Sequence, residues 1–321
     1  MIKVGVIGAG SMGKNHIRNY LELNNLFEFV GFYDASEENA KKTEELFNIK
    51  SFKTIEELLD NVDAVSVVVP SSLHKEIGLI VASKKVHALI EKPLALNKED
   101  CEILSKAFKE NNLVLTVGHI ERFSPPMIEL FERIKDEKII AVEAKRCGPY
   151  DSRISDTNVI MDLMIHDIDL ICSKINKSKI KEIKSIGVHA FSNNRIDYIS
   201  AVCGHENGVV SNLIASRVTQ IKIRTIKIHT TTSYYIVDLL NKTLEVHKNS
   251  IIKSAGDKVT IQNECEKVSL STHEPLRFEL MEFASSIKDG QPRVSSEDAT
   301  YAVELANLIE EDAKNYLSVE A

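Results

Sequence analysis

The 321-residue chain is short of several common signals. None of its five cysteines (Cys101, Cys147, Cys172, Cys203, Cys265) pairs with another at C-x-x-C spacing, so neither a zinc knuckle nor a redox dithiol is expected. No apolar run reaches the roughly 18 residues that a membrane span needs. No basic run marks a nucleic-acid surface, and the G-x-S-x-G elbow of a serine hydrolase is missing. Internal repeats and low-complexity tracts are also absent. The chain opens on an apolar strand pattern with no leader ahead of it. With an odd number of scattered cysteines, this predicts a reducing cytoplasm. The formal charge is −7, from 40 basic and 47 acidic residues. An anionic ligand must therefore be held by local donors, because the global field does not attract it.

What is present reads as two domains, a comfortable division for this length. Short apolar runs at Ile2–Ile7, Phe27–Tyr33, Ala64–Val69, Val86–Ile90 and Val114–Gly118 alternate with amphipathic helical stretches. Strands that are apolar throughout argue for a parallel sheet covered on both faces. Residues 1–119 are thus predicted to form a doubly wound, Rossmann-type α/β domain. Residues 120–321 change character. A helix over Thr157–Lys174 is followed by runs of strand up to about Leu270, separated by turns such as Glu206-Asn207-Gly208. That meander predicts an α+β domain on a large, mainly antiparallel sheet.

The first strand runs directly into Gly8-Ala9-Gly10-Ser11-Met12-Gly13, a G-x-G-x-x-G turn that opens a helix. Gly8 permits the tight turn, Gly10 lets a pyrophosphate approach the backbone, and Gly13 allows helix to pack closely on strand. The unpaired N–H groups of the helix start would face the phosphates. Asp34 lies 21 residues beyond Gly13, at the end of the second strand. A carboxylate there grips ribose hydroxyls and repels a 2′-phosphate, which favours NAD over NADP.

Three further segments follow strand ends, where ligands of open α/β sheets bind. They are Pro70-Ser71-Ser72-Leu73-His74, Glu91-Lys92-Pro93 and Gly118-His119-Ile120-Glu121-Arg122-Phe123. Taken alone, Lys92 reads more readily as a solvated surface lysine. In the second domain Asp162 and His166 are four residues apart and share a helix face. A carboxylate there can orient an imidazole for base catalysis, although His166 reads equally well as a satisfied core histidine. A metal held by His166, Asp167 and Asp169 is not expected, since neighbouring helical residues do not face one ligand.

Together GAGSMG, Asp34, VVPSSLHKE, EKPLAL, GHIERFSP and DLMIHDIDL resemble the glucose–fructose oxidoreductase/inositol dehydrogenase (Gfo/Idh/MocA) family, in its order, over about residues 1–170. The resemblance implies NAD as cofactor and homodimers or homotetramers built on the open sheet face. It maps a catalytic trio onto Lys92, Asp162 and His166, with His166 or Lys92 as the base. Pro70, Ser71, His74, Glu91 and Lys92 would join Gly8, Gly10, Ser11, Met12, Gly13 and Asp34 around the cofactor, with Arg122 counted among them. The family often has a glycine where Met164 stands, which bears on substrate packing. GHIERFSP and CGPYDSRISDTNVIMDLMIHDIDL are similar to the family's UDP-N-acetylglucosamine 3-dehydrogenases. That implies Arg122, Arg146, Arg153 and Asp156 near a sugar nucleotide, with His119 on the substrate side. The implied activity is NAD-dependent oxidation of a sugar or sugar-nucleotide hydroxyl. An inositol or free-sugar dehydrogenase is the alternative within the family, and an NAD-sensing protein without turnover the alternative outside it.

Overall fold

The computed structural model describes residues 1–150, 157–191, 195–253 and 259–317. They divide into two compact units, the first comprising Met1–Ile120 with His273–Glu304, the second Glu121–Thr272 with Leu305–Ala321. Among the described residues no helix is long and apolar enough to cross a membrane.

The first unit is a five-stranded parallel sheet in the order β2-β1-β3-β4-β5. Its strands are β1 (Ile2–Ile7), β2 (Phe27–Tyr33), β3 (Ala64–Val67), β4 (His87–Glu91) and β5 (Leu115–Gly118). The main helices between them are α1 (Ser11–Glu22), α2 (Glu37–Phe47), α3 (Ile55–Leu59), α4 (His74–Ser83) and α5 (Lys98–Glu110). The order reverses between β1 and β3, so the crevice beyond their carboxyl ends is the place for a ligand. Gly8 sits there with φ +93°, and a Cβ on it would lie 2.2 Å from the Val68 carbonyl oxygen.

A single cut at 119/120 does not describe how the first unit is completed. Helix α8 (Pro275–Asp289) lies beyond the whole second sheet in sequence, yet Leu276, Leu280, Phe283 and Ala284 are buried in one cluster with Val4, Tyr20, Phe27 and Phe32. The Rossmann layers need a cover for that face, and the late helix supplies it.

The second unit has eight strands in the order β13-β12-β11-β10-β6-β9-β8-β7. They are β6 (Ile139–Cys147), β7 (Ile180–Val188), β8 (Tyr198–His205), β9 (Val210–Ser216), β10 (Ile223–Thr230), β11 (Ser233–Asp238), β12 (Thr243–Lys253) and β13 (Val259–Lys267). Only β6 and β9 pair parallel, and every other neighbour is antiparallel. Helix α6 (Pro125–Arg133) packs on β11 and β12. The segment expected as one α-helix is mixed. A short α-helix, α7 (Ile165–Leu170), lies between wide π-turns at Ile160–Met164 and Ile171–Ile175.

Phe283 is fully buried, with 0% exposure. Phe283→Ala should therefore cost about 3–5 kcal/mol in the first unit's unfolding, read by denaturant titration. A loss below about 1 kcal/mol would remove α8 from that core.

Candidate functional site

The glycine-rich turn fits a dinucleotide, and each glycine has its own geometry. A Cβ on Gly13 would lie 2.0 Å from the Gly8 carbonyl oxygen, so helix and strand close there only without a side chain. A Cβ on Gly10 would meet nothing within 4 Å. It would project into open space, where a pyrophosphate needs to approach. Helix α1 starts at Gly10 with no side-chain cap and no acidic residue in its first turn. By contrast, α2 and α5 are capped by Ser36 and Asn97 and carry acidic first turns. The first N–H groups of α1 and its positive dipole end therefore remain available to an anion.

Asp34 holds this turn in shape. Its Oδ2 accepts from the Ala9 N–H at 2.7 Å and from Asn39 Nδ2 at 2.8 Å, and its Oδ1 accepts from the Ser36 N–H at 2.9 Å. Asn39 also donates to the Ala9 carbonyl at 3.0 Å and accepts from Lys14 Nζ at 3.2 Å. Asn39 has no place in the fingerprint, and its only sequence signal is its position in the first turn after Asp34. A cleft of about 420 Å³ opens beside these groups, lined by Gly8, Gly10, Asp34, Pro70, Leu73, Ile77 and Ile80 among others. Its charged lining residues are Asp34 and Glu76, with no lysine or arginine. The apolar wall suits an adenine ring. The carboxylates suit ribose hydroxyls and oppose a 2′-phosphate.

Two expected cofactor contacts lie behind the wall. Glu91 is buried at 9% exposure and ends a polar chain. Tyr20 Oη is 2.7 Å from Ser66 Oγ, Ser66 Oγ is 3.0 Å from His16 Nδ1, and His16 Nε2 is 3.0 Å from Glu91 Oε1. His16 thus bridges the Ser66 hydroxyl and the Glu91 carboxylate. Burial alone would raise the Glu91 carboxyl, but the hydrogen bond and charge of His16 outweigh it and hold the group below its usual range. Glu91 Oε2 in turn accepts from the Lys92 N–H at 3.3 Å. His74, 1% exposed, lies 2.7 Å from the Pro93 carbonyl and 3.0 Å from the Val69 carbonyl. It ties the Pro70 loop to the Lys92-Pro93 turn. Desolvation lowers its pKa, against the pull of the two carbonyls. Lys92 itself is half-buried. His119, expected to face substrate, is 1% exposed, because the chain turns inward after β5.

In the second unit Asp162, Leu163 and His166 are half-buried, while Met161, Met164, Ile165, Asp167, Ile168 and Asp169 are buried. Asp162 and His166 thus share the open side of the helix. Arg217, 3% exposed, donates to the Thr157 carbonyl at 3.1 Å and to Asp162 Oδ2 at 3.1 Å. It anchors the helix start and the carboxylate together. This role was invisible in sequence, since Arg217 is 55 residues from Asp162.

The inward aspartates explain the arginines. Arg146 is buried, donating from Nη2 to Asp167 at 2.9 Å and from Nη1 to Glu121 at 2.8 Å. Arg122 donates to the two oxygens of Asp169 at 2.8 and 2.5 Å and to Ser173 Oγ at 2.7 Å. Both guanidiniums were expected beside cofactor or sugar nucleotide, and both are buried within the second unit instead. The physical reason is that Asp167 and Asp169, also buried, require partners there. Burial raises the Asp167 carboxyl, opposed by Arg146. Arg153 and Asp156 lie outside the described residues.

Comparison with known proteins agrees with this geometry. The family profile GFO_IDH_MocA, described as an oxidoreductase family with an NAD-binding Rossmann fold, matches residues 2–119. A UDP-N-acetylglucosamine 3-dehydrogenase of Acidithiobacillus ferrooxidans is 33% identical over 292 residues, covering 91% of this chain and 90% of its own. Its solved structure superposes with a TM-score of 0.90 at 30% identity, covering 98% of each chain. A scyllo-inositol 2-dehydrogenase (NAD(+)) of Bacillus subtilis is 23% identical, covering 99% of this chain and 96% of its own. A levoglucosan dehydrogenase solved with NADH shares the fold with a TM-score of 0.81 at 19% identity.

Asp34→Ala removes both the carboxylate expected to hold the ribose and the clasp on Ala9. NAD affinity should fall by roughly 10–100-fold, as for a lost charge-assisted hydrogen bond, and the gap to NADP should narrow. Titration calorimetry with both cofactors reads this. Unchanged affinity for each would remove Asp34 from the site.

Proposed function

Because the chain belongs to the Gfo/Idh/MocA family of NAD-binding oxidoreductases, we propose that it oxidises the C3 hydroxyl of UDP-N-acetylglucosamine to a ketone. The observation that carries this reading is the likeness, along nearly the whole chain, to an enzyme of that name. NAD, when bound, supplies the hydride acceptor at the nicotinamide C4.

The chain's own residues manage position and the proton. His166 takes the hydroxyl proton as the C–H bond releases hydride, a general-base task to which an imidazole is suited. Lys92 hydrogen-bonds the reacting oxygen and favours alkoxide character. Asp162, held by Arg217 at 3.1 Å, orients the sugar. Glu91 and His74 keep the Lys92 turn in place from behind. Lys92 is the alternative base.

We assign the enzyme to the cytoplasm, a compartment that suits the free thiols of Cys101, Cys147, Cys172, Cys203 and Cys265. We also assign it to a homo-oligomer. On the sheet face opposite the buried Ile199, Ala201, Cys203 and Leu213, the side chains of Ile186, Val188, Val202 and Val210 are 39–58% exposed. Exposed apolar side chains gathered on one sheet face suit a partner copy.

Mixing protein, NAD and UDP-N-acetylglucosamine should raise the reduced-nicotinamide absorbance, and His166→Ala should lower kcat by about 100-fold or more while NAD binding persists. Turnover of an inositol or a free hexose, with none of the UDP-sugar, would transfer the assignment to that substrate. A loss under about tenfold in the variant would remove His166 as base.

A further inference from the structure

The second sheet carries a set of donors that neither the dinucleotide nor the proposed substrate uses. Strands β12 and β13 pair antiparallel, with His247 opposite Cys265 and Glu245 opposite Lys267. Cross-strand partners and alternate residues share a face, so Glu245, His247 and Cys265 project together. They stand on the open face, since Leu244 and Val246 on the other side are buried. His247 Nε2 lies 3.8 Å from Cys265 Sγ and 3.8 Å from Glu245 Oε2. The three ligand atoms all lie within 4.8 Å of one another.

A tetrahedral zinc ion, with bonds of about 2.3 Å to sulfur and about 2.0–2.1 Å to nitrogen or oxygen, sets its ligand atoms about 3.3–3.6 Å apart. Two edges of that tetrahedron are thus nearly formed, and the sulfur–carboxylate edge closes by rotation of exposed side chains. We propose that Glu245, His247 and Cys265 bind a zinc(II) ion on the open sheet face, with water completing the fourth position. A thiolate, an imidazole and a carboxylate together form a borderline-soft set that suits zinc and excludes magnesium or calcium. Lys267 Nζ competes only weakly. It sits 3.5 Å from Glu245 Oε1, not from the oxygen facing His247, and its side chain is 81% exposed. Binding releases the thiol proton to solvent. The site has no part in the dehydrogenase reading, so either can fail alone.

Within the single chain Cys265 is exposed whereas the other four cysteines are buried, and it stands on β13, five strands across the sheet from the Val210 patch on β9 assigned above to a partner copy, which keeps its thiol a direct reporter. The full-length protein, stripped with a chelator and dialysed, is treated with a thiol-reactive disulfide with and without zinc chloride. The fast-reacting thiol, assigned by its loss in Cys265→Ser, should slow on the order of tenfold at micromolar zinc. Magnesium should leave its rate unchanged. His247→Ala and Glu245→Gln should each shift half-protection to at least roughly tenfold more zinc. Titration calorimetry should give one zinc per chain, lost in Cys265→Ser. Unaltered reactivity at 100-fold higher zinc, or equal protection in both variants, would overturn the site.

Discussion

Asp167 and Asp169 are 3% and 1% exposed, and a carboxylate that deep must be paired or lose its charge. Arg146 and Arg122 are their partners. These ion pairs fix the rotation of the segment at 160–175 about its own axis. Once Asp167 and Asp169 point inward, Asp162 and His166 can only point outward. Removing one member would leave an uncompensated buried charge, which costs about 3–5 kcal/mol. The orientation of the proposed base is therefore set by residues that never meet the substrate. The π-turns on either side of α7 are the kind of helix irregularity often found at functional sites.

The first unit follows the same logic with two hydroxyls, one histidine and one acid. Tyr20, Ser66, His16 and Glu91 form a line of buried hydrogen bonds that ends under the backbone of Lys92. His74 braces the same turn from the Pro70 side. A Cβ on Gly118 would come within 2.9 Å of the Glu91 carboxyl, so the β5 end must stay bare for the strut to fit.

Much of this was legible in the sequence. Continuous apolar strands announced the parallel sheet, and the glycine turn with Asp34 announced the dinucleotide cleft, because both rest on local chain geometry. Long-range pairing was not legible. Arg122 and Arg146 look like ligand-binding arginines until the fold brings Asp169 and Asp167 to them. Glu91 and His74 carry the family motif but face inward. Asn39 and Arg217 belong to no motif, as each is recruited by a contact the fold creates. Strand β13 was missed because polar residues outnumber apolar ones across Val259–Lys267. The Cys265–His247 pair, 18 residues apart, has no spacing signature, because antiparallel register alone makes it.

The return of residues 273–304 to the first unit has a consequence for synthesis. A ribosome that has finished residue 119 has made every strand of the parallel sheet, but not the helix that covers Tyr20, Phe27 and Phe32. Those side chains stay uncovered while the entire second sheet is translated. The second unit in turn waits for residues 305–317, whose Asp312 accepts from the Ser185 N–H and Oγ. The first unit can close only after residue 304 has been made, and the second only after its 305–317 segment has followed. A gene split at the apparent domain boundary would yield two unfinished halves.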